Sequence, residues 1–463
     1  MKPYFRCFLP EVLGRFSLYL FAFSAWLSTT VSEIALLGTL AAALVRPSSF
    51  FRWLMSTRLL LLVCTFIGYV TLAAFRGALL FPETQGLQWA YTVKWAWFLF
   101  MLPCAFWINN DEKRAFWIMT LAFFGFILAI VTRSDWQLFP VWFAGERYCF
   151  GFPCLTISLL SGVFILEHVI MAGRLVEAIQ YLFRKYGIVA GTMAGLIWAL
   201  SFVVITQVLI TSQSRGVWLF LVIIVPCIAP TLFTTRATNQ RGALREQRWL
   251  GATLLVISLA VLLVGSEAKT IKKRIFQEKG EISSVLHGNW KSLAFETSIG
   301  IRAHVWSYGV RAWLRSPIVG WGPGTNVLAD PFWGSRAGFA TDEERDKLPL
   351  YATHLHSDLL ESLVRLGLIG TSILGAIVVA VISRLKRAKT NRGLATDTFL
   401  FLSSSFLLMF MFGLIEFRFV HVMYRHLVII ICSISLGISP VEVRGNSSST
   451  RAPWHGDRPL WHF

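Results

Sequence analysis

Three short segments carry the side chains most able to do chemistry. The first is Thr211-Ser212-Gln213-Ser214-Arg215-Gly216-Val217-Trp218, a polar hinge between two apolar runs. An arginine costs about 2.5–3.5 kcal/mol at the centre of a membrane helix, so one this close to hydrocarbon needs a reason to be there. Two readings stand: a turn whose guanidinium snorkels to lipid headgroups, or a fixed cation facing an anion. The second segment is Gly300-Ile301-Arg302-Ala303-His304-Val305-Trp306, followed by Arg311, Trp313 and the run from Ser316 to Asn326. Gly320, Gly322 and Gly324 either bring backbone amides up to an anion or make a tight loop. No strand precedes them and Pro323 interrupts any following helix, so they are no dinucleotide fingerprint. The third segment is Thr353-His354-Leu355-His356-Ser357-Asp358, directly before a helical pattern running to Gly370. Ser357 or Asp358 caps that helix. A histidine there, neutral near pH 7, is able to accept a proton, and either does so or is a bystander. Asp358 or Glu361 is placed to orient it, while Glu361 is equally well placed to pair with Arg365 four residues on.

These segments must be held by membrane helices. The chain has 463 residues, 55% hydrophobic and 15% charged, with a mean hydropathy of +0.61, which excludes a soluble globule. Apolar runs occur at about residues 12–30, 32–46, 57–75, 90–108, 115–133, 152–173, 187–211, 216–235, 249–266, 358–384, 396–416 and 421–439. A span needs about 20 apolar residues, and in hydrocarbon only a helix satisfies every backbone amide. The pattern therefore predicts an all-α polytopic membrane protein of about twelve transmembrane helices. The net charge of +18 sits in short loops, as topology requires, so no nucleic-acid partner is expected.

Lysines and arginines crowd alternate loops, for example Arg46, Arg52 and Arg58, then Lys113 and Arg114, then Arg174, Arg184 and Lys185. The opposite short loops hold only Arg76, Arg133, Arg147, Arg215 and Arg418. That bias puts both termini in the cytoplasm. The domain layout expected is helices one to nine over 1–266, a large outer loop with short amphipathic helices over 267–355, helices ten to twelve over 356–440, and a flexible cytoplasmic tail over 441–463. The outer loop opens on a basic amphipathic stretch, Lys269 to Lys279, and carries a second helical pattern from Ile301 to Leu314. Loops of this length usually carry function. The cysteines show no metal-ligand spacing. Cys149 and Cys154 fall in one outer loop and can pair if it faces an oxidising compartment.

Taken together, the Ser214-Arg215-Gly216 hinge, the Arg302 segment running into Pro317 to Gly324, and His356-Ser357-Asp358 before a helix ending Leu366-Gly367-Leu368-Ile369-Gly370 resemble the O-antigen ligase and O-antigen polymerase superfamily. Gly145-Glu146-Arg147-Tyr148-Cys149-Phe150-Gly151 also looks like that family's Arg and Gly segment before a middle span. The match is closest to the lipopolysaccharide O-antigen ligases. The resemblance implies a glycosyltransferase C-like membrane fold and a location in the bacterial inner membrane. It implies transfer of polysaccharide from undecaprenyl diphosphate to lipid A-core on the periplasmic face, inverting, metal-independent and without a cofactor. Its partners would be the undecaprenyl-diphosphate-linked glycan, the lipid A-core acceptor and membrane lipids. Ser357 stands where the family often has Asn, and His354 is a rival to His356.

The residues fit that chemistry. A diphosphate leaving group concentrates negative charge, and arginine offers planar bidentate donors. Arg215 and Arg302 are the expected clamp, with Arg147 and Arg311 behind them. A sugar hydroxyl is a poor nucleophile, and His356 is the expected base. Glu416, near Arg418 and His421, orients the acceptor, balances the arginine charges, or forms a salt bridge between helix ends. Asp342, Glu343, Glu344 and Asp346 lack a DxD spacing, so no metal is expected. An O-antigen polymerase and a protein O-oligosaccharyltransferase are alternatives with the same donor. A transporter or lipid flippase is the rival from another class, although no repeat or broken helix is visible.

Overall fold

The computed structural model describes residues 3–57, 59–237, 279–288, 297–326 and 354–438, with isolated positions between 265 and 293. Every regular element among them is helical. The helices are α1 (Pro3–Ser24), α2 (Thr29–Leu44), α3 (Pro47–Ser56), α4 (Leu59–Leu80), α5 (Gln85–Ala96), α6 (Met101–Ile108), α7 (Glu112–Arg133), α8 (Cys154–Tyr186), α9 (Ile188–Thr211), α10 (Arg215–Ala237), α11 (Lys279–Leu286), α12 (Ser298–Arg315), α13 (Asp358–Arg392), α14 (Thr396–Ile415) and α15 (Val422–Gly437). Among the described residues seven helical stretches are long and apolar enough to cross a membrane, or eight if the pair α2 and α3, bent by 99°, counts as one. The chain is thus an all-helical, multi-pass membrane protein over these residues. α10 and α15 are shorter apolar helices, and the expected run at 249–266 lies outside the described residues. So do most of the Lys269 stretch, the acidic residues at 342–346 and the tail.

Local signals explain where the helices start. Asp111 accepts from the amides of Lys113 and Arg114 and caps α7, Thr297 accepts from Gly300 and caps α12, and Ser357 accepts from Leu360 and caps α13. Each of these oxygens satisfies an amide that has no partner inside its helix. The cap on α13 is therefore Ser357 and not Asp358.

The bundle has two polar ends. At one, Arg174 of α8 makes a two-pronged bond to Asp397 at 2.6 and 2.7 Å, a third to Thr398 at 2.9 Å, and lies 3.8 Å from Glu112. Arg174 is thus a buried partner within a long helix and not the loop cation its position in the basic series suggests. At the other end lie the α1–α2 turn, the 134–153 segment, the α9–α10 hinge, α12, the start of α13 and the α14–α15 loop. Arg133 donates to Leu27 O at 3.0 Å there, and Cys149 is bonded to Cys154 with their Cα atoms 4.8 Å apart.

α13 is broken, a feature the apolar pattern did not announce. Gly367 holds φ 65° and ψ −171° inside it, in the left-handed half of the map that favours glycine. The opened turn is filled by the Gly run: Trp321 and Gly322 amides donate to Val364 and Arg365 carbonyls at 2.9 Å, and Leu368 and Ile369 amides donate to Pro317 and Ile318 at 2.8 and 3.1 Å. A Cβ on Gly367 would fall 2.3 Å from Ile318 O, and one on Gly320 2.5 Å from Arg365 O. Tyr69 of α4 donates to Leu366 O at 2.6 Å and closes the junction. The alternating glycines therefore serve close packing against α13 and α5, and their amides are taken by Ser316, Arg365 and Gln88. Gly367→Ala is expected to lower stability by about 2–4 kcal/mol from strain and overlap, read as a fall in thermal midpoint of the purified protein. Gly68→Ala, where nothing lies within 4 Å of a new Cβ, is the control, and equal midpoints for the two variants would contradict this packing.

Candidate active site

The site is organised on Glu416, which follows the last turn of α14 and is 1% exposed. Arg302 of α12 reaches it with Nη2 at 2.6 Å, and Arg418 lies 3.7 Å from its other oxygen. His356 Nδ1 sits 3.3 Å from both carboxylate oxygens. Burial pushes the Glu416 carboxyl up, but the hydrogen bond from His356 and the positive charge of its neighbours, Arg302 and Arg418 among them, outweigh it and hold the group at about 2. Glu416 is therefore a carboxylate. A carboxylate facing Nδ1 favours the tautomer with the proton on Nδ1, which leaves the Nε2 lone pair outward.

Arg302 is held on all sides. Its Nε donates to Ile415 O at 3.1 Å, and its Nη1 donates to Ser298 O at 2.9 Å and to the Ser298 hydroxyl. Its charge thus also sits on the carbonyl end of α14, where a cation is favoured by the helix dipole. Much of this guanidinium is used to hold Glu416.

His356 is equally constrained. Its φ is 50°, a sparsely populated conformation for a non-glycine residue that tends to occur where surroundings over-determine it. Its carbonyl accepts from Trp306 Nε1 of α12 at 3.3 Å, and its amide donates to His354 Nδ1 at 3.3 Å. Burial, then His356, Arg418 and Arg365, push the His354 imidazole down to about 4 against the pull of Glu416. His354 is then neutral at pH 7 with Nδ1 already accepting, so its proton is on Nε2 and neither nitrogen keeps a lone pair for a substrate. The two rings touch, with centroids 4.2 Å apart.

Asp358 does not reach His356. Its Oδ1 accepts from the Arg418 and Phe419 amides at 2.8 and 3.3 Å, and its amide donates to Glu416 O at 3.1 Å. It thereby sets the loop on which Glu416 rides. Glu361 pairs with Arg365 at 2.5 and 2.8 Å, and its second oxygen accepts from the Leu355 amide at 2.8 Å. Arg365, 1% exposed, also donates to Pro323 O at 2.7 Å and lies over the Tyr91 ring at 4.5 Å. This buried knot fixes the 354–356 loop from beneath.

The arginine hinge comes to the same end of the bundle. Gly216 packs on Ile415, one residue before Glu416, and a Cβ there would lie 2.5 Å from Ile415 Cδ1. Arg147 Nε donates to Ser212 O at 3.1 Å, Gln213 Nε2 donates to Gly145 O at 3.0 Å, and the Tyr148 amide donates to Thr211 O at 3.2 Å. The disulfide-bonded segment and the Arg215 hinge therefore form one unit. Arg311 is set apart: nine residues after Arg302 on α12, at about 100° per residue, it falls on the opposite helix face.

His354, His356 and Glu416 have ligand atoms within 4.8 Å of one another, the grouping among the described residues able to offer a metal three donors. Two guanidiniums already address that carboxylate, and His354 Nδ1 already accepts an amide, so the charge and lone pairs a cation needs are spent. Sequence reasoning found His356, Arg302 and Glu416 and set Arg418 beside Glu416, but it did not find the pairing of Glu416 with His356 and Arg302, and it missed Tyr69 and Gln88, whose Oε1 accepts from the Gly324 amide at 2.8 Å. Those contacts span the chain and leave no local signal.

The depressed carboxyl sets a pH dependence. Glu416 ionises at about 2 against an ordinary 4.5, so its contribution is complete above about pH 4.5 and is lost as pH falls through 2. Removing it strands buried arginine charge, a loss on the order of 3 kcal/mol. The thermal midpoint of Glu416→Gln should therefore lie below that of the wild type by an amount constant from about pH 8 to pH 5, the gap closing only at lower pH. A gap that vanishes between pH 7 and pH 5 would mean the carboxyl is not held down by these partners.

No curated protein matches the chain. Residues 200–375, which run from α9 through Arg215, Arg302 and His356 into α13 and end before Glu416, match the family model described as O-Antigen ligase. Over that stretch the chain is similar to the O-antigen ligase family.

Proposed function

We propose that this chain is an O-antigen ligase, moving polysaccharide from undecaprenyl diphosphate to lipid A-core at the periplasmic face of the bacterial inner membrane, with both termini cytoplasmic. The observation that carries this reading is the shared Glu416 carboxylate, which holds His356 by Nδ1 and Arg302 by Nη2. In the reaction the acceptor hydroxyl gives its proton to His356 Nε2 as its oxygen attacks the anomeric carbon. The bond from that carbon to the diphosphate oxygen breaks on the opposite side, so the configuration inverts. Glu416 steadies the imidazolium that forms, the role a buried acid plays behind a catalytic histidine.

The diphosphate leaves with its charge met by arginine. Arg215 is the principal contact, Arg302 contributes the Nη2 hydrogen not given to Glu416, and Arg147 supports the hinge. Arg311 is a more distant member of the set, on the outer face of α12. No metal is required, since guanidinium supplies the positive charge. The Cys149–Cys154 bond supports an oxidising compartment for this end of the bundle. The polymerase reading shares the donor and the base and differs in acceptor alone.

The test is reconstitution of the purified protein with undecaprenyl-diphosphate-linked glycan and lipid A-core, followed by acceptor mobility on a gel. A shift that resists EDTA supports the ligase, whereas longer glycan left on the carrier identifies a polymerase. His356→Ala should cut the rate by about a hundredfold or more, with His354→Ala less affected. Arg215→Lys should be impaired although charge is kept. Full activity in His356→Ala, or dependence on added divalent metal, would overturn the mechanism.

A further inference from the structure

A second cationic centre lies on the other side of the α14–α15 loop. Arg425, in the first turn of α15, is 7% exposed, and its Nε and Nη1 have no hydrogen-bond partner among the described residues. His421 Nδ1 and Arg418 Nε are buried without a partner in the same way. The Arg425 guanidinium lies over the Trp97 ring at 5.6 Å, and Glu33 at the start of α2 is within electrostatic reach without an ion pair. Burial, then Arg418 and Arg425, push the His421 imidazole down to about 4, which registers the positive potential there. Buried guanidinium N–H groups left unsatisfied beside an imidazole nitrogen make a setting complementary to an anion.

The same face of α15 continues downward as hydrocarbon. Arg425, Val428 and Cys432 follow at helical spacing, and Val428 and Cys432 line a narrow apolar groove with Trp95, Phe98, Phe419 and Ile377. Trp97, which covers Arg425, follows Trp95 and precedes Phe98 in the turn that walls the groove. An anionic head and a hydrocarbon tail are thus provided on one helix face. Arg302 and Gly216 approach the loop from α12 and α10, whereas Arg425 faces Glu33 and Trp97, on α2 and on the turn after α5, so the two centres lie on different sides of the loop and share only Arg418.

We propose that Arg425 and His421 bind the phosphate of a membrane lipid other than the glycan donor, with its hydrocarbon chain in the groove along Val428 and Cys432. Such a lipid braces the start of α15 and, through it, the loop carrying Glu416. Binding is read without turnover, so its failure leaves the transfer reading untouched.

The experiment is native mass spectrometry of the detergent-purified protein with dioleoyl phosphatidic acid, and with dioleoylglycerol as the headless control. The wild type should retain one phosphatidic acid in clear preference to dioleoylglycerol. Arg425→Gln should lower the retained fraction about tenfold, Arg425→Lys less, and Arg302→Gln should leave it unchanged. If Arg425→Gln does not fold, His421→Gln provides the reading, with an expected loss of about threefold. Undiminished retention in the folded variants, equal retention of dioleoylglycerol, or loss in Arg302→Gln overturns the site. Displacement of phosphatidic acid by equimolar undecaprenyl diphosphate would assign it to the donor and overturn its independence.

Discussion

A buried carboxylate is tolerable only if its charge is met, and Glu416 meets that condition with groups from three parts of the chain. Arg302 comes from α12, His356 from the loop before α13 and Arg418 from its own loop. Taking any of them away leaves charge in a poorly hydrated place, which costs more than the pair itself is worth. That asymmetry makes Glu416 the point at which the segments at this end of the bundle are forced into register. It also gives the imidazole a defined tautomer and the guanidinium a defined orientation at once, so the electrostatics of stability and those of chemistry coincide.

The surrounding scaffold supplies rigidity where the chain is irregular. His356 and Gln213 both hold a left-handed backbone, with φ of 50° and 54°, one beside the histidine site and one in the arginine hinge. Each is locked by neighbours: Trp306 and His354 at the first, Gly145 and the bonded Cys149–Cys154 segment at the second. The break in α13 at Gly367 is filled by the 317–322 backbone, and Arg365 anchors the same region to Glu361 and Pro323. Non-helical backbone at membrane depth is tolerated only where it is covered by protein in this way.

Much of this was legible in the residues. Apolar runs of the right length located α4, α7, α8, α9, α13 and α14, because hydrocarbon leaves a helix no alternative. His356, Arg302, Arg215 and Glu416 stood out as polar groups at an apolar boundary. What the sequence could not carry was partnership. Glu416 lies 60 residues from His356 and 114 from Arg302, and no periodicity links positions that far apart. Gly367 reads as one more small residue in an apolar helix until the 317–322 backbone is laid against it. Alternating glycines leave both an anion loop and a tight loop open for the same reason: their amides look free until Ser316, Arg365 and Gln88 are known as their partners. The nearness of Arg311 to Arg302 in sequence misleads in the other direction, since a helix turns them to opposite faces.

Both the chemistry and the register of this end of the bundle turn on Glu416 holding the His356 proton on Nδ1 and freeing Nε2. The most direct measurement is the ¹⁵N spectrum of histidine-labelled protein, with the His356 signals assigned by their loss in His356→Gln. The account predicts, for the neutral ring, a protonated Nδ1 and an unprotonated Nε2, with that preference relaxed in Glu416→Gln. A neutral His356 protonated on Nε2, with a bare Nδ1 facing Glu416, would contradict it.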